Sequence, residues 1–228
     1  MKKYKLALVG ATGLVGRTAL KVLEEKNIPN IEYTLFCSKK SAGKTISFFN
    51  KDYILQELTD ISFDSGFDFA IFSAGAEVSK HFAPIAASKG CIVIDNSSAF
   101  RMDENVPLIV PEVNMKDSIN HQNIISNPNC STIQAVVVLK PLDDEFKIKR
   151  IVYSTYQAVS GAGKLALEDL KTTDLNKPLL KFSHPIYDNC LPQIDTFLIN
   201  KYTKEEMKMI NETRKILNHP HLPITATA

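Results

Sequence analysis

The sequence predicts an α/β chain, with a doubly wound parallel sheet built on its first half and a smaller α+β segment after it. Three observations carry this. Short continuous apolar runs alternate with helix-spaced runs as far as about residue 125, as buried parallel strands and their covering helices do. A glycine turn, Gly10-Ala11-Thr12-Gly13-Leu14-Val15-Gly16, directly follows the first apolar run. Beyond residue 148 the pattern changes to alternating β-branched and aromatic residues, as in a different, half-exposed sheet. The two segments are expected over 1–128 and 129–228.

The totals narrow the class. The 228 residues are 44% apolar and 23% charged, ordinary for a soluble globular protein. A net charge of +2 gives no reason to expect a nucleic-acid partner. No apolar run approaches the ~20 residues that cross a membrane. The basic start, Met1-Lys2-Lys3-Tyr4-Lys5, leads into a strand and a glycine turn rather than a signal segment. Cys37, Cys91, Cys130 and Cys190 are widely spaced and form no C-x-x-C pair, which argues against a metal site and against a disulfide framework. A cytoplasmic protein with reduced thiols is the simplest expectation.

Residues 5–9 read as a buried strand and residues 17–26 as a helix, with Ala19, Leu20, Val22 and Leu23 at helical spacing. Between them, Gly10, Gly13 and Gly16 let the backbone turn tightly and approach a pyrophosphate at the helix start, so dinucleotide binding is expected. The spacing is G-x-x-G-x-x-G rather than G-x-G-x-x-G, and a plain strand-helix turn is the alternative. Residues 31–36 read as the second strand. An NAD site would place an acid near its end; Cys37-Ser38-Lys39-Lys40-Ser41 stands there instead, which favours NADP, the alternative being a solvated basic loop. Residues 69–72 are another buried strand, followed by Ser73-Ala74-Gly75-Ala76, a small-residue turn where a cofactor could lie close to backbone. Residues 78–88 read as a helix, on which His81 is expected to be a surface or satisfied residue. Residues 91–94 form a strand running into Asp95-Asn96-Ser97-Ser98-Ala99-Phe100-Arg101. The Arg101 guanidinium, after a strand end, could hold a phosphate or carboxylate; a surface salt bridge is equally open.

The chain then returns through residues 108–114 and 123–125 to Ser126-Asn127-Pro128-Asn129-Cys130-Ser131-Thr132, ahead of a helical run over 133–139. Pro128 suits a helix entry, and Asn129, Ser131 and Thr132 can cap free N–H groups. Cys130 is therefore expected at a helix N-terminus, where the dipole favours a thiolate and free N–H groups could stabilise an oxyanion. A buried structural cysteine is the alternative. In the second segment, residues 149–156 read as a strand entering Gln157-Ala158-Val159-Ser160-Gly161-Ala162-Gly163. Gln157 can donate and accept, which suits orienting an acyl group. A helix starts at 164, residues 172–183 read as a polar loop, and residues 189–195 read as an ordered turn in which Cys190 is structural. Thr203 is expected to cap a helix running to about residue 217; Glu205 and Lys208 share a face of it, where a surface ion pair is the plain alternative to a binding role.

These stretches, together with Val110-Pro111-Glu112-Val113-Asn114, Ser154-Thr155-Tyr156 and Glu205-Glu206-Met207-Lys208, resemble aspartate-semialdehyde dehydrogenases in order and spacing along nearly the whole chain. The resemblance implies a Rossmann-like NADP-binding domain and a catalytic and dimerisation domain. It implies NADPH-dependent reduction of L-aspartyl 4-phosphate to the semialdehyde and phosphate, by a homodimer or homotetramer, in lysine, threonine and methionine biosynthesis. Carried over, it makes Cys130 the nucleophile that forms an acyl-thioester and Gln157 the group that orients it. Arg101 and Lys208 would bind phosphate, with Asn129 nearby, and Glu205 the substrate amine. Thr12, Gly13, Leu14, Val15, Ser38, Lys40, Ser41, Ser73, Gly75, Ser160 and Gly161 would hold NADP.

Three departures stand out. Lys40 replaces a common arginine, and the segment between Gly163 and Asn189 is short. Family members also continue past the position of Ala228 with a substrate-binding arginine and the acid/base histidine, and none of His81, His121, His184, His219 or His221 falls in that histidine's motif. A chain lacking the family's C-terminal third, which leaves the second domain incomplete and activity impaired, is therefore expected. The related N-acyl-glutamyl-phosphate reductases share the glycine turn and the cysteine, but Asn129 before and Ser131-Thr132 after Cys130 fit the aspartyl enzymes better. A non-catalytic NADP-binding module is the alternative from another class.

Overall fold

A computed structural model describes residues 2–173 and 177–228. The chain divides into two compact units, the first ending at Asn129 and the second beginning at Cys130. Of the polar loop expected over 172–183, residues 174–176 lie outside the described residues.

The first unit runs β1 (Tyr4–Val9), α1 (Leu14–Lys26), β2 (Ile31–Cys37), β3 (Thr45–Phe48), β4 (Lys51–Ile54), β5 (Gln56–Glu57), β6 (Phe69–Phe72), α2 (Ala76–Ser88), β7 (Ile92–Asp95), α3 (Pro111–Asn114) and β8 (Ile124–Ser126). Six strands form one parallel sheet in the order β5-β2-β1-β6-β7-β8. Successive side chains of a strand point to opposite faces. On β1, Leu6 and Leu8 accordingly join a core with Leu20 and Leu23 of α1, whereas Ala7 and Val9 join another with Ala83 and Ala86 of α2. Both faces are thus covered, which explains why the strands read as continuous apolar runs. The winding reverses between β1 and β6, and the crevice outside the carboxyl ends of strands at such a point is where open α/β sheets bind ligands.

The second unit contains α4 (Cys130–Phe146), β9 (Ile151–Ser154), α5 (Lys164–Leu170), α6 (Lys204–Ile216) and β10 (Ile224–Thr227). Strands β9 and β10 pair in parallel. Their inward residues Ile151, Tyr153, Ile224 and Ala226 pack with Met209 and Ile210 of α6, while Val152 and Thr225 alternate outward. The start of α6 is held by a capping box. Thr203 Oγ1 accepts from Glu206 N at 3.2 Å, and Glu206 Oε2 accepts from Thr203 N at 2.6 Å.

Three elements differ from expectation. Helix α4 spans 130–146 rather than 133–139, because it continues through Pro141 with a Lys140–Asp144 ion pair along its last turns. The β3–β4 hairpin turns at Phe49 and Asn50, both at positive φ (52° and 55°). The usual hairpin signal is Asn-Gly or Asp-Gly, and a phenylalanine in that conformation gives none. Strand β10 alternates strictly but is only four residues long, too short to be read alone.

Candidate active site

In the first unit the glycine turn and the turn after β6 lie side by side. Ser73 N and Ser73 Oγ both donate to Val9 O, at 2.9 and 3.1 Å. Gly10 has φ +87°, and a Cβ there would come within 2.8 Å of Ser73 O. The Ser73 hydroxyl proton is thus committed to the strand, so this residue offers a ligand only acceptor capacity. Gly75 is exposed with φ +92° and open space where a side chain would stand. A Cβ on Gly16 would meet Gly10 O at 2.2 Å, so the turn closes only with glycine there. Gly13 N donates to Gly10 O at 3.0 Å, whereas the N–H groups of Leu14, Val15 and Gly16 find no acceptor among the described residues. Gly13, Leu14 and Val15 are exposed and Thr12 is half-buried. The α1 N-terminus therefore presents unpaired N–H donors beside exposed aliphatic surface, which suits a pyrophosphate.

Ser38 precedes a tight 3-10 turn, Lys39–Ser41, directly after β2. Lys39 and Lys40 are exposed and make no ion pair among the described residues. The donors fit a dinucleotide carrying a 2′-phosphate: uncapped N–H groups for the pyrophosphate and uncommitted ammonium groups beyond β2.

Arg101 is buried, not on the surface as one reading allowed. Its Nε donates to Asn127 O at 3.0 Å and an Nη to Asn96 O at 3.1 Å, which ties the loop after β7 to the loop after β8. Asn127 Nδ2 donates to Asn96 Oδ1 at 2.6 Å, and Asn127 N to Asp95 O at 2.8 Å. Beneath them the fully buried Asp95 carboxylate accepts from Ser79 Oγ (2.6 Å), Ser97 N (3.0 Å) and Ser97 Oγ (2.8 Å). Such fully bonded buried networks rigidify what they hold. Asn129, the last residue of this unit, is buried.

The second unit opens with Cys130 as the first residue of the 17-residue helix α4, and its side chain is exposed rather than buried. The other thiols differ. Cys91 is buried and its pKa is pushed up to about 12, chiefly by desolvation. Burial, and then the Glu57 charge, also raise Cys37, whose S–H donates to Gln56 O at 3.4 Å. Cys190 is exposed rather than packed, in an irregular turn.

Gln157 Nε2 donates to Ser131 Oγ and to Glu205 Oε1, both at 2.8 Å. Glu205 is buried, and its Oε2 accepts from Lys208 Nζ at 2.9 Å. The i,i+3 pair seen in the sequence is therefore formed, but its carboxylate is inside. Lys208 Nζ also reaches Asp195 Oδ2 at 3.5 Å. Burial pulls the Lys208 pKa down, but the Glu205 hydrogen bond and charge and the Asp195 charge outweigh it, so the pKa is raised. Burial likewise opposes ionisation of Asp195, yet the Thr196 N–H and Lys208 hold it below the ordinary value. Sequence reasoning did not single out Asp195, or Ser131 as the partner of Gln157; only the fold brings residues 131, 157 and 195–208 together. Ser160 and Gly161 are exposed on the 3-10 turn Val159–Ala162, and a Cβ at Gly161 would meet nothing within 4 Å.

Among the described residues no group of His, Cys, Asp and Glu could hold a metal ion. No helix is long and apolar enough to cross a membrane.

The Semialdehyde dehydrogenase, NAD binding domain family matches residues 5–121, and the Semialdehyde dehydrogenase, dimerisation domain family matches residues 139–228. The aspartate-semialdehyde dehydrogenase of Aquifex aeolicus is 52% identical over 98% of this chain and 68% of its own length. The chain belongs to the aspartate-semialdehyde dehydrogenase family. Among solved structures of the family, aspartate semialdehyde dehydrogenase II of Vibrio cholerae, complexed with ASA, superposes with a TM-score of 0.94 at 46% identity, over all of this chain and 70% of that one. The Candida albicans aspartate semialdehyde dehydrogenase with NADP gives a TM-score of 0.74 at 25% identity, over 99% of this chain and 67% of that one. The Rossmann-type sheet and the second α+β unit are the family's two domains.

Proposed function

We propose that the chain is the NADP-dependent aspartate-semialdehyde dehydrogenase of aspartate-family amino-acid biosynthesis, converting L-aspartyl 4-phosphate to L-aspartate 4-semialdehyde and phosphate. Residues 1–128 serve as the NADP-binding domain and residues 129–228 belong to the catalytic and dimerisation domain. The observation that carries this reading is Cys130. It is an exposed thiol at the first position of a long helix, in the unit where Gln157, Glu205 and Lys208 form one hydrogen-bonded chain.

The nucleophile is the Cys130 thiolate. The thiolate attacks the C4 carbonyl of the acyl phosphate; the carbon–sulfur bond forms as the carbon–oxygen bond to phosphate breaks, leaving a thioester on Cys130. N–H groups of the first turn of α4 are assigned to the oxyanion that develops on that carbon. Gln157 orients the acyl group, with its amide held by Ser131 and Glu205. Arg101 and Lys208 are assigned to the phosphate, with Asn129 adjacent to the nucleophile, and Glu205 to the substrate amine. Bound NADPH supplies the hydride that reduces the thioester. The resulting thiohemiacetal on Cys130 collapses, releasing the semialdehyde and regenerating the thiolate. Thr12, Gly13, Leu14 and Val15 hold the pyrophosphate, Ser38, Lys40 and Ser41 the 2′-phosphate, and Ser73, Gly75, Ser160 and Gly161 the remaining cofactor surface. The working protein is a cytoplasmic homodimer or homotetramer acting on small molecules.

The assay is phosphate-dependent reduction of NADP by aspartate semialdehyde. Turnover that requires phosphate and disappears in Cys130→Ser supports the reading; turnover with N-acetyl-glutamate semialdehyde in its place would redirect it to the acyl-glutamyl class.

A further inference from the structure

The Lys208 ammonium lies between two carboxylates, Glu205 at 2.9 Å and Asp195 at 3.5 Å. Both carboxylates hold this one ammonium, so a phosphate that binds Lys208 must compete with them for it. The two carboxylates are not equivalent. Glu205 is 7% exposed in its side chain and also holds Gln157, so it cannot leave without breaking that bond. Asp195 is 35% exposed, sits at the outer limit of hydrogen-bond distance, and touches Lys208 through Oδ2 alone. Its other oxygen accepts from Thr196 N at 2.8 Å, and its carbonyl accepts from Gln193 Nε2 at 3.1 Å. These bonds fix a turn in which Asp195 has φ +69°, a conformation that costs most residues free energy and suits Asn, Asp and Gly. The carboxylate is thus delivered to Lys208 by a specifically built turn.

We propose that Asp195 is the resident counter-ion of Lys208, which an incoming phosphate displaces, so that Asp195 sets how tightly phosphate is held and how readily it leaves. Glu205 stays in place during the exchange and keeps Lys208 oriented. The proposal rests on the assignment of Lys208 to phosphate binding and adds a residue that acts through it.

The test is equilibrium titration of the full chain with inorganic phosphate at constant ionic strength, by calorimetry or 31P line broadening. Asp195→Asn is the variant of choice: it removes the charge, keeps an oxygen for Thr196 N–H and tolerates the left-handed turn. Asp195→Gly is the second variant, should the first not fold. Removing a partly exposed like charge beside the site is expected to tighten phosphate binding roughly threefold to tenfold. Lys208→Met should weaken it at least about tenfold, and Asp195→Asn in the Lys208→Met background should add no tightening. Unchanged or weaker binding in both Asp195 variants, with Lys208→Met still damaging, overturns the role of Asp195 and leaves Lys208 as the ligand. No effect of Lys208→Met, or no phosphate binding by the unaltered chain, overturns the assignment of Lys208 and the role of Asp195 together.

Discussion

Gln157 and Glu205 meet amide to carboxylate, with Nε2 donating to Oε1 at 2.8 Å. A carboxylate accepts only, so it dictates which end of the amide faces it. The second Nε2 hydrogen goes to Ser131 Oγ, which leaves Oε1 as the amide atom not engaged among the described residues. Gln157 is thereby oriented by residues from α4 and α6 at once. Gln157→Ala is predicted to lower kcat by roughly 10- to 100-fold, the usual scale for losing a positioning group, with NADP affinity unchanged. Gln157→Glu should be worse by a further order of magnitude and lower the melting temperature, since it sets two carboxylates against each other. Steady-state kinetics with a thermal melt of each variant checks both.

The four thiols should separate by accessibility. Cys130 and Cys190, both exposed, are predicted to alkylate at neutral pH, with Cys37 and Cys91 unlabelled until the chain unfolds. Timed alkylation with peptide mapping reads all four at once; equal labelling of Cys91 in the native chain would contradict its burial.

A pH dependence follows from Cys91. Its thiol is held up to about 12 from an ordinary value of 9.0, so the unfolded chain loses this proton before the folded one. The contribution to stability is complete below pH 9.0 and declines as pH rises toward about 12, by up to about 1.4 kcal/mol for each pH unit. Cys91→Ala should flatten the alkaline limb of a stability-versus-pH curve in that window. Urea titrations at several pH values measure it.

Two glycines should fail differently. Gly16→Ala puts a Cβ 2.2 Å from Gly10 O, so the turn must shift; a stability loss of about 1–3 kcal/mol is expected, as for overpacking elsewhere. Gly161→Ala meets nothing in the chain and should leave stability unchanged. If Gly161 lies against the cofactor, this variant weakens NADP binding alone. A melt and an NADP titration of each variant separate the two cases.

Lys40→Glu is predicted to reduce the preference for NADP over NAD by roughly tenfold or more, because it sets an acid against the 2′-phosphate. Lys40 is exposed, so the fold should be unaffected. Parallel titrations with both cofactors check the ratio.

The first unit was legible in the sequence because its strands are buried on both faces and its turns are marked by glycine. Cys130 at a helix start was legible for a local reason as well, since Pro128, Asn129, Ser131 and Thr132 all favour helix entry. What stayed hidden depends on contacts distant in sequence. Arg101 reads equally as a ligand or a surface charge until Asn96 and Asn127 are seen to take its donors. Asp195 has no local pattern that points to Lys208, thirteen positions on. The β3–β4 hairpin was hidden by Phe49 in a conformation phenylalanine seldom adopts.

The most direct test of the account is the site of acylation. The full chain, mixed with L-aspartyl 4-phosphate in the absence of NADPH, is quenched with acid and digested, and the aspartyl adduct is located by mass spectrometry. One thioester is expected, on the peptide containing Cys130, released by hydroxylamine and missing from Cys130→Ser. An adduct on another residue, or full phosphate-dependent turnover by Cys130→Ser, would contradict it.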